Sequence, residues 1–208
     1  MTIDQKAMQA LFHDARTANG FLDKPVDAHL LRDIYELAKM GATSMNTQPT
    51  RYVFLTNEAA KGRLYPALSP GNLDKTKSAP VCVIVARDNR FYEHLPQCFP
   101  NKPDAQQMFE GNAGLAAGTA SRNGTLGGAY FMMAARAYGL DCGPMSGFDA
   151  AKVNQEFFPD GRFTVNFLVN LGYGDNTKAL VDGIEQNRET VIPDNATVRI
   201  ETKANTKA

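Results

Sequence analysis

Apolar residues recur at helical spacing near the start of the chain, where Ala7, Met8, Leu11 and Phe12 put one stripe on a helix over residues 4–14. A turn at 16–20 follows. Asp27 is placed to cap a second helix with the stripe Leu30, Leu31, Ile34, Tyr35, Leu37 and Ala38, ended by Gly41. Residues 42–50 are polar and stopped by Pro49, which predicts a loop; a strand-like run at 51–56 and a short helix at 57–67 come next. Pro80 then opens an unbroken apolar run at 81–86, the pattern of a central strand buried on both faces. Residues 88–112, with Pro96, Pro100 and Pro103, read as irregular, and the Gly/Ala-rich 111–118 as either a mobile flap or a helix start. The longest helical pattern spans 119–138. Its Gly127–Gly128 pair costs about 1 kcal/mol per glycine relative to alanine. It marks either close packing against another helix, across a dimer interface for instance, or simple tolerance.

Gly139 caps that helix, and 140–148 reads as a tight Gly/Pro-rich loop. Asp149 caps a further helix through Phe157, and 163–171 forms the last strand. Beyond Gly174 the chain turns polar, and its last residues, ETKANTKA, are expected to be disordered. No repeat or linker divides the chain. Helices come first, then strands separated by long helices, so the expected class is α/β or α+β around a central sheet.

Composition narrows the function. At 208 residues the chain suits one domain with a sizeable core. Lys plus Arg (22) equals Asp plus Glu (22), which leaves no basic footprint and argues against a nucleic-acid partner. The N-terminus, MTIDQKAMQALFHDAR, lacks the apolar core of a signal peptide, and the longest apolar runs are too short to span a bilayer, so no membrane partner is expected. The three cysteines (Cys82, Cys98, Cys142) are widely spaced without a CxxC, which suits a reducing cytoplasm and neither a disulfide framework nor a zinc site.

The common catalytic signatures are missing: no GxxxxGK[ST], HExxH or GxSxG. His13, His29 and His94 are isolated, and each reads first as a surface histidine. Gly172–Tyr173–Gly174 follows a strand but fits a turn better than a dinucleotide fingerprint. Cys142 reads as a small buried thiol before a nucleophile. What stands out is a set of loops rich in small polar donors: Arg16–Thr17–Ala18–Asn19, residues 43–48, residues 72–75, and Arg122–Asn123. Two arginines and a lysine with no acid–base pair suit a ligand carrying a phosphate, hydroxyls and a heteroaromatic ring. A cofactor that does its own redox chemistry explains why no catalytic constellation is needed.

Six segments carry a resemblance: ARTANGF (15–21), GATSMNTQPTRYVF (41–54), GNLDKTKSAPV (71–81), SRNG (121–124), GLDCGPMSGFD (139–149) and NLGYGD (170–175). In order and spacing they resemble the nitroreductase-like FMN enzymes, and more narrowly the malonic semialdehyde reductase branch of pyrimidine breakdown. The resemblance implies an α+β fold, a central, mostly antiparallel sheet flanked by helices, in a domain over 1–175 with a divergent C-terminal arm over 176–208. It implies an intertwined homodimer with FMN at the interface and NADH or NADPH as co-substrate.

The resemblance also implies roles for particular residues. Arg16, Thr17 and Asn19 would face the FMN phosphate and ribityl end, where a guanidinium fork donates two aligned bonds. Lys75, three residues after Asn72, would reach the pyrimidine edge, where a cation stabilises charge that develops on reduction, and Asn72 is counted among the cofactor-binding residues. Thr43, Ser44 and Asn46 match a loop contributed by the partner subunit, and Asn123 an amide near the ribityl chain. Pro144, Met145, Ser146 and Gly147 match the loop against the flavin ring, Gly147 because a missing Cβ lets backbone approach a flat surface.

The sequence departs from the family at three places. Asn19 and Ala15 stand where many members are basic, and Ser146 where many have glutamate. The basic pair that usually follows the last strand is not reproduced in ALVDGIEQNRETVIP, so no role is carried to Lys178 or Arg188. The implied cycle is ping-pong, with hydride passing from NAD(P)H through the flavin to malonic semialdehyde, giving 3-hydroxypropionate. No side chain is assigned as a catalytic acid, and solvent is left to supply the proton. A broad nitroaromatic or quinone reductase and a non-catalytic flavin-storage protein are the competing expectations.

Overall fold

A computed structural model describes residues 2–175; the arm expected over 176–208 lies outside the described residues. The chain begins with α1 (Gln5–Met8), which runs into a π-helical turn at Gln9–His13. The expected first helix is therefore present, yet none of its residues is buried. Next come α2 (Ala28–Ala38), β1 (Thr50–Leu55), α3 (Glu58–Leu64), α4 (Pro70–Ser78) and β2 (Val81–Asp88). Short helices α5 (Leu95–Cys98) and α6 (Ala105–Glu110) lead to the long α7 (Ala113–Ala137), then β3 (Asp141–Met145), α8 (Ala150–Phe157) and β4 (Phe163–Gly172). Caps act where expected: Asp27 Oδ1 accepts from His29 N at 2.7 Å, and Asp149 Oδ1 from Ala151 N at 3.0 Å. Gly139 takes φ +78° to end α7, a left-handed turn that glycine adopts without a Cβ clash.

The four strands form one antiparallel sheet in the order β1-β2-β4-β3. β2 is central, and its unbroken apolar run is explained by the two layers it separates. Val81, Val83 and Val85 face Leu31 and Ile34 of α2 and Phe131 of α7. Cys82, Ile84 and Ala86 face Leu64 of α3 and Val153 of α8. The fold is thus α+β, with helices on both faces.

Three expectations change. Residues 140–148 are not all loop, because 141–145 form β3. A proline is tolerated there because β3 is the terminal strand of the sheet, with β4 as its one strand neighbour among the described residues. Residues 88–112 are not irregular: a 3₁₀ turn at Phe91–His94, α5 and α6 close a third apolar cluster in which Phe91, Leu95 and Phe109 meet Ala116 and Ala120 of α7. Of the two readings of 111–118, the helix start holds, with Asn112 capping α7 through its bond from Leu115 N (3.0 Å). The Gly127–Gly128 pair packs on the sheet rather than on another helix. A Cβ at Gly127 would strike the Thr50 side chain, and one at Gly128 the Phe167 ring.

Candidate functional site

Three segments converge beside β3. The first is the stretch after the π-helical turn, where Thr17 forms a parallel bridge with Cys142 and Ala18 N donates to Cys142 O at 3.0 Å. This covers the outer edge of β3. Gly143 permits the approach, since a Cβ there would lie 2.6 Å from Ala18 O. The second segment is α4, begun by Ser69 and Pro70. The third is the loop after β3, strapped to the start of α4 by Ser69 N (3.0 Å) and Asn72 Nδ2 (2.9 Å), both donating to Gly147 O. A Cβ at Gly147 would lie 2.6 Å from Asn72 Nδ2. In this chain the missing side chain is required by the loop's own seat on α4, a reason different from the one the resemblance suggested.

Together these segments enclose a crevice of about 20 Å³ lined by Thr17, Ala18, Asn19, Asn72, Lys75, Gly143, Pro144, Met145 and Asn170. Six of the expected residues meet here: Thr17, Asn19, Asn72, Lys75, Pro144 and Met145. Ser146 and Gly147 adjoin it through the strap to Asn72. Lys75 is half-buried, and its ammonium group has no hydrogen-bond or ion-pair partner among the described residues. Arg16 precedes the crevice and donates through Nη1 to His13 O (2.6 Å) and Ala15 O (3.1 Å).

Thr43, Ser44, Asn46 and Asn123 form a second group. The loop at 43–48 turns through left-handed backbone at Met45 (φ 51°), Asn46 (φ 49°) and Gln48 (φ 40°), a conformation that costs non-glycine residues free energy and needs support. Support comes from Thr43 Oγ1, which accepts from Gln48 N (3.1 Å), from Asn46 Nδ2 donating to Cys98 O (2.8 Å), and from Asn123. Asn123 is buried; its Oδ1 accepts from Ser44 N (2.8 Å) and its Nδ2 donates to Thr119 O (2.9 Å). Among the described residues no hydrogen bond or crevice joins this group to the first. A groove of about 960 Å³ runs along β1 past Thr47, Gln48 and Arg51, and none of the residues lining the Lys75 crevice lines it.

Other candidates resolve into structural roles. Burial pushes the Cys142 thiol up to about 12, so it is neither ionised nor exposed at neutral pH. Gly174 N donates to Asp141 Oδ2 (2.8 Å) in a turn, with no phosphate cradle. His94 Nε2 lies 3.7 Å from Asp88, a buried carboxylate already held by Arg51 (2.9 Å) and Arg162 (2.8 Å). Asn170 is the site residue that sequence reasoning passed over. Its signal was an amide inside the otherwise apolar run at 167–171 of β4.

Residues 14–173 match the Nitroreductase family, and the chain belongs to it. It is 55% identical over 174 residues to a protein of Stenotrophomonas maltophilia (strain R551-3) named "Putative NADH dehydrogenase/NAD(P)H nitroreductase", covering 84% of this chain and 88% of the relative. Two solved structures share the fold. One is titled a "putative nitroreductase ydfN" from Bacillus subtilis, with TM-score 0.76, 23% identity, and coverage of 86% of this chain and 94% of that one. The other is titled a "putative nitroreductase in complex with FMN" from Exiguobacterium sibiricum, with TM-score 0.75, 18% identity, and coverage of 86% and 93%. No helix among the described residues is long and apolar enough to cross a membrane.

Proposed function

We propose that this chain is an FMN-dependent oxidoreductase that carries hydride from NADH or NADPH to a small acceptor, working as a homodimer in the cytoplasm. The observation that carries the reading is the Lys75 ammonium, without a partner among the described residues and set in one crevice with Asn19, Asn72 and residues of β3. A half-buried cation without a counter-charge suits a ligand edge that gains negative charge. The FMN in the Exiguobacterium structure supports the same choice of cofactor, and the name of the Stenotrophomonas relative supports the nicotinamide donor.

The residues fit the group. Arg16, Thr17 and Asn19 are assigned to its phosphate and ribityl end, and Asn72 with Lys75 to its pyrimidine edge. Residues 144–147 supply a backbone wall held rigid by the strap to α4. Thr43, Ser44, Asn46 and Asn123 are too occupied with their own loop to reach that crevice within one chain, so we assign them to the cover that each subunit lends the other. Bound FMN supplies the redox chemistry, taking hydride from the nicotinamide and returning it to the second substrate. The chain orients both partners, keeps water off the ring and sets the electrostatics with Lys75.

For the acceptor we propose malonic semialdehyde, on the resemblance carried by residues 15–20 and 143–149. The printed name of the Stenotrophomonas relative favours a second reading, a nitroaromatic or quinone acceptor. The test begins with colour: the purified protein should be yellow and bleach anaerobically with NADH or NADPH. Comparison of kcat/KM for the aldehyde and for a nitroaromatic then decides the acceptor, and turnover of the nitro compound alone would sink the aldehyde. A colourless protein that takes up no FMN defeats the whole reading.

A further inference from the structure

We propose that Asn170 reads the pyrimidine edge of the cofactor, its side-chain oxygen accepting the imide N–H of the flavin. The proposal rests on the FMN reading given above and adds to it a residue that selects for that hydrogen.

Asn170 stands inside β4, opposite Cys82 of β2 and Gly143 of β3, and is 1% exposed. An amide in the middle of a sheet costs desolvation at both ends unless both are paired. One end is paired: Nδ2 lies 3.2 Å from Thr76 Oγ1 and 3.9 Å from Met145 Sδ. The other is not, since Oδ1 is buried without a hydrogen-bond partner among the described residues.

The neighbours fix which end is which. Thr76 spends its one hydroxyl hydrogen on Asn72 O, 2.9 Å away, so towards Asn170 it offers only a lone pair. Met145 offers a thioether, which also only accepts. Turning the amide over would set its oxygen against two acceptors. The oxygen is therefore held as an acceptor in a residue that lines the crevice, and it needs a donor that the described residues do not provide.

The rest of the crevice has the opposite character. Lys75 brings an ammonium with no partner among the described residues, and Asn19 an amide, while Asn72 keeps its Nδ2 on Gly147 O. A pyrimidine edge presents a carbonyl, an N–H and a second carbonyl in a row. A fixed acceptor in one crevice with the Lys75 ammonium complements the N–H and one of the carbonyls. The crevice, about 20 Å³, has room for the edge of a ring and not for the ring itself.

The test strips the full-length chain of flavin and reloads it with FMN or with FMN methylated at N3, following flavin fluorescence. Wild type should prefer FMN. Asn170→Leu, similar in size but with no acceptor, should bind FMN about tenfold less tightly, as the loss of one buried hydrogen bond implies, and should lose its preference over the methylated cofactor. The absorbance change as N3 ionises in alkali supplies a second readout. A hydrogen bond from N3 to Asn170 raises that ionisation in the wild type, and it should fall in the variant; a purely structural role would leave it in place.

If Asn170→Leu keeps both the preference and the ionisation, another acceptor serves N3 and the proposal is overturned. Should the variant fail to fold, wild type decides alone, because equal binding of the two cofactors also overturns it. Wild type that takes up neither flavin overturns the FMN reading itself, a distinct outcome.

Discussion

Two thiols and two cations carry the tests at the scale of single residues. Burial raises both Cys82 and Cys142 to about 12 from 9.0, with the Lys61 charge opposing the shift at the first and Arg136 at the second. The folded state therefore holds these protons more tightly than the unfolded chain. The resulting stability is full below pH 9.0 and is lost as pH rises towards 12. Calorimetry from neutrality to about pH 10.5 should show a falling Tm, and a Cys82→Ala/Cys142→Ala variant should fall less steeply from a lower start. Arg16→Ala should loosen FMN by about tenfold or more, the worth of a charge-assisted bond, as measured by retention on dialysis. Lys75→Ala should bind FMN with a more negative reduction potential, because the cation that favours the reduced ring is gone. Spectroelectrochemical titration reads that shift, and an unchanged potential would remove Lys75 from the pyrimidine edge.

Elements are held in register by a few buried devices. Lys61 of α3 is buried, and its Nζ donates to Ala79 O (2.8 Å), Lys77 O (3.1 Å) and Thr76 O (3.4 Å), the carbonyls left open at the end of α4. It thereby anchors the helix that carries Asn72 and Lys75. Lys61→Met should cost about 1–3 kcal/mol in urea unfolding, with FMN affinity falling as α4 loosens. Glycines give a paired test of packing against propensity. Gly62 in α3 has nothing within 4 Å of a built Cβ, so Gly62→Ala should stabilise by about 1 kcal/mol. Gly127→Ala should destabilise by about 1–3 kcal/mol, because Thr50 of β1 occupies the space and the sheet cannot retreat.

At the scale of the whole molecule, several large apolar side chains among the described residues are exposed. Phe12 is 56% exposed, Met40 76% and Leu126 42%, on the first helical segment, the end of α2 and α7. Where exposed apolar residues join into a patch they mark an interaction site. Met40 borders the loop at 43–48, which we assign to the neighbouring subunit's cofactor. Sedimentation should give a dimer. Met40→Asp combined with Leu126→Asp should shift it towards monomer and release FMN at the same time, with far-ultraviolet circular dichroism unchanged. A monomeric variant that keeps its flavin would show that one chain suffices for the site.

What the sequence determined by itself was local. The apolar run of β2, the Asp27 and Asp149 caps, the Gly139 stop and the helical stripe of α2 all depend on residues a few positions apart, and the structure has them where they are expected. Thr17, Asn19, Asn72, Lys75, Pro144 and Met145 were also legible as candidates, though through a family resemblance rather than through spacing. The tertiary structure decided the rest. It made a strand of 141–145, because an edge position excuses a proline and β4 supplies the partner carbonyls. It built a core from 91–120, because Phe91 and Phe109 find each other only when α7 is in place. It gave the glycine pair a sheet to lie on. The buried acceptor of Asn170 was legible only there, because an orphan oxygen is defined by every neighbour it lacks, and those neighbours come from α4, β2 and β3 at once.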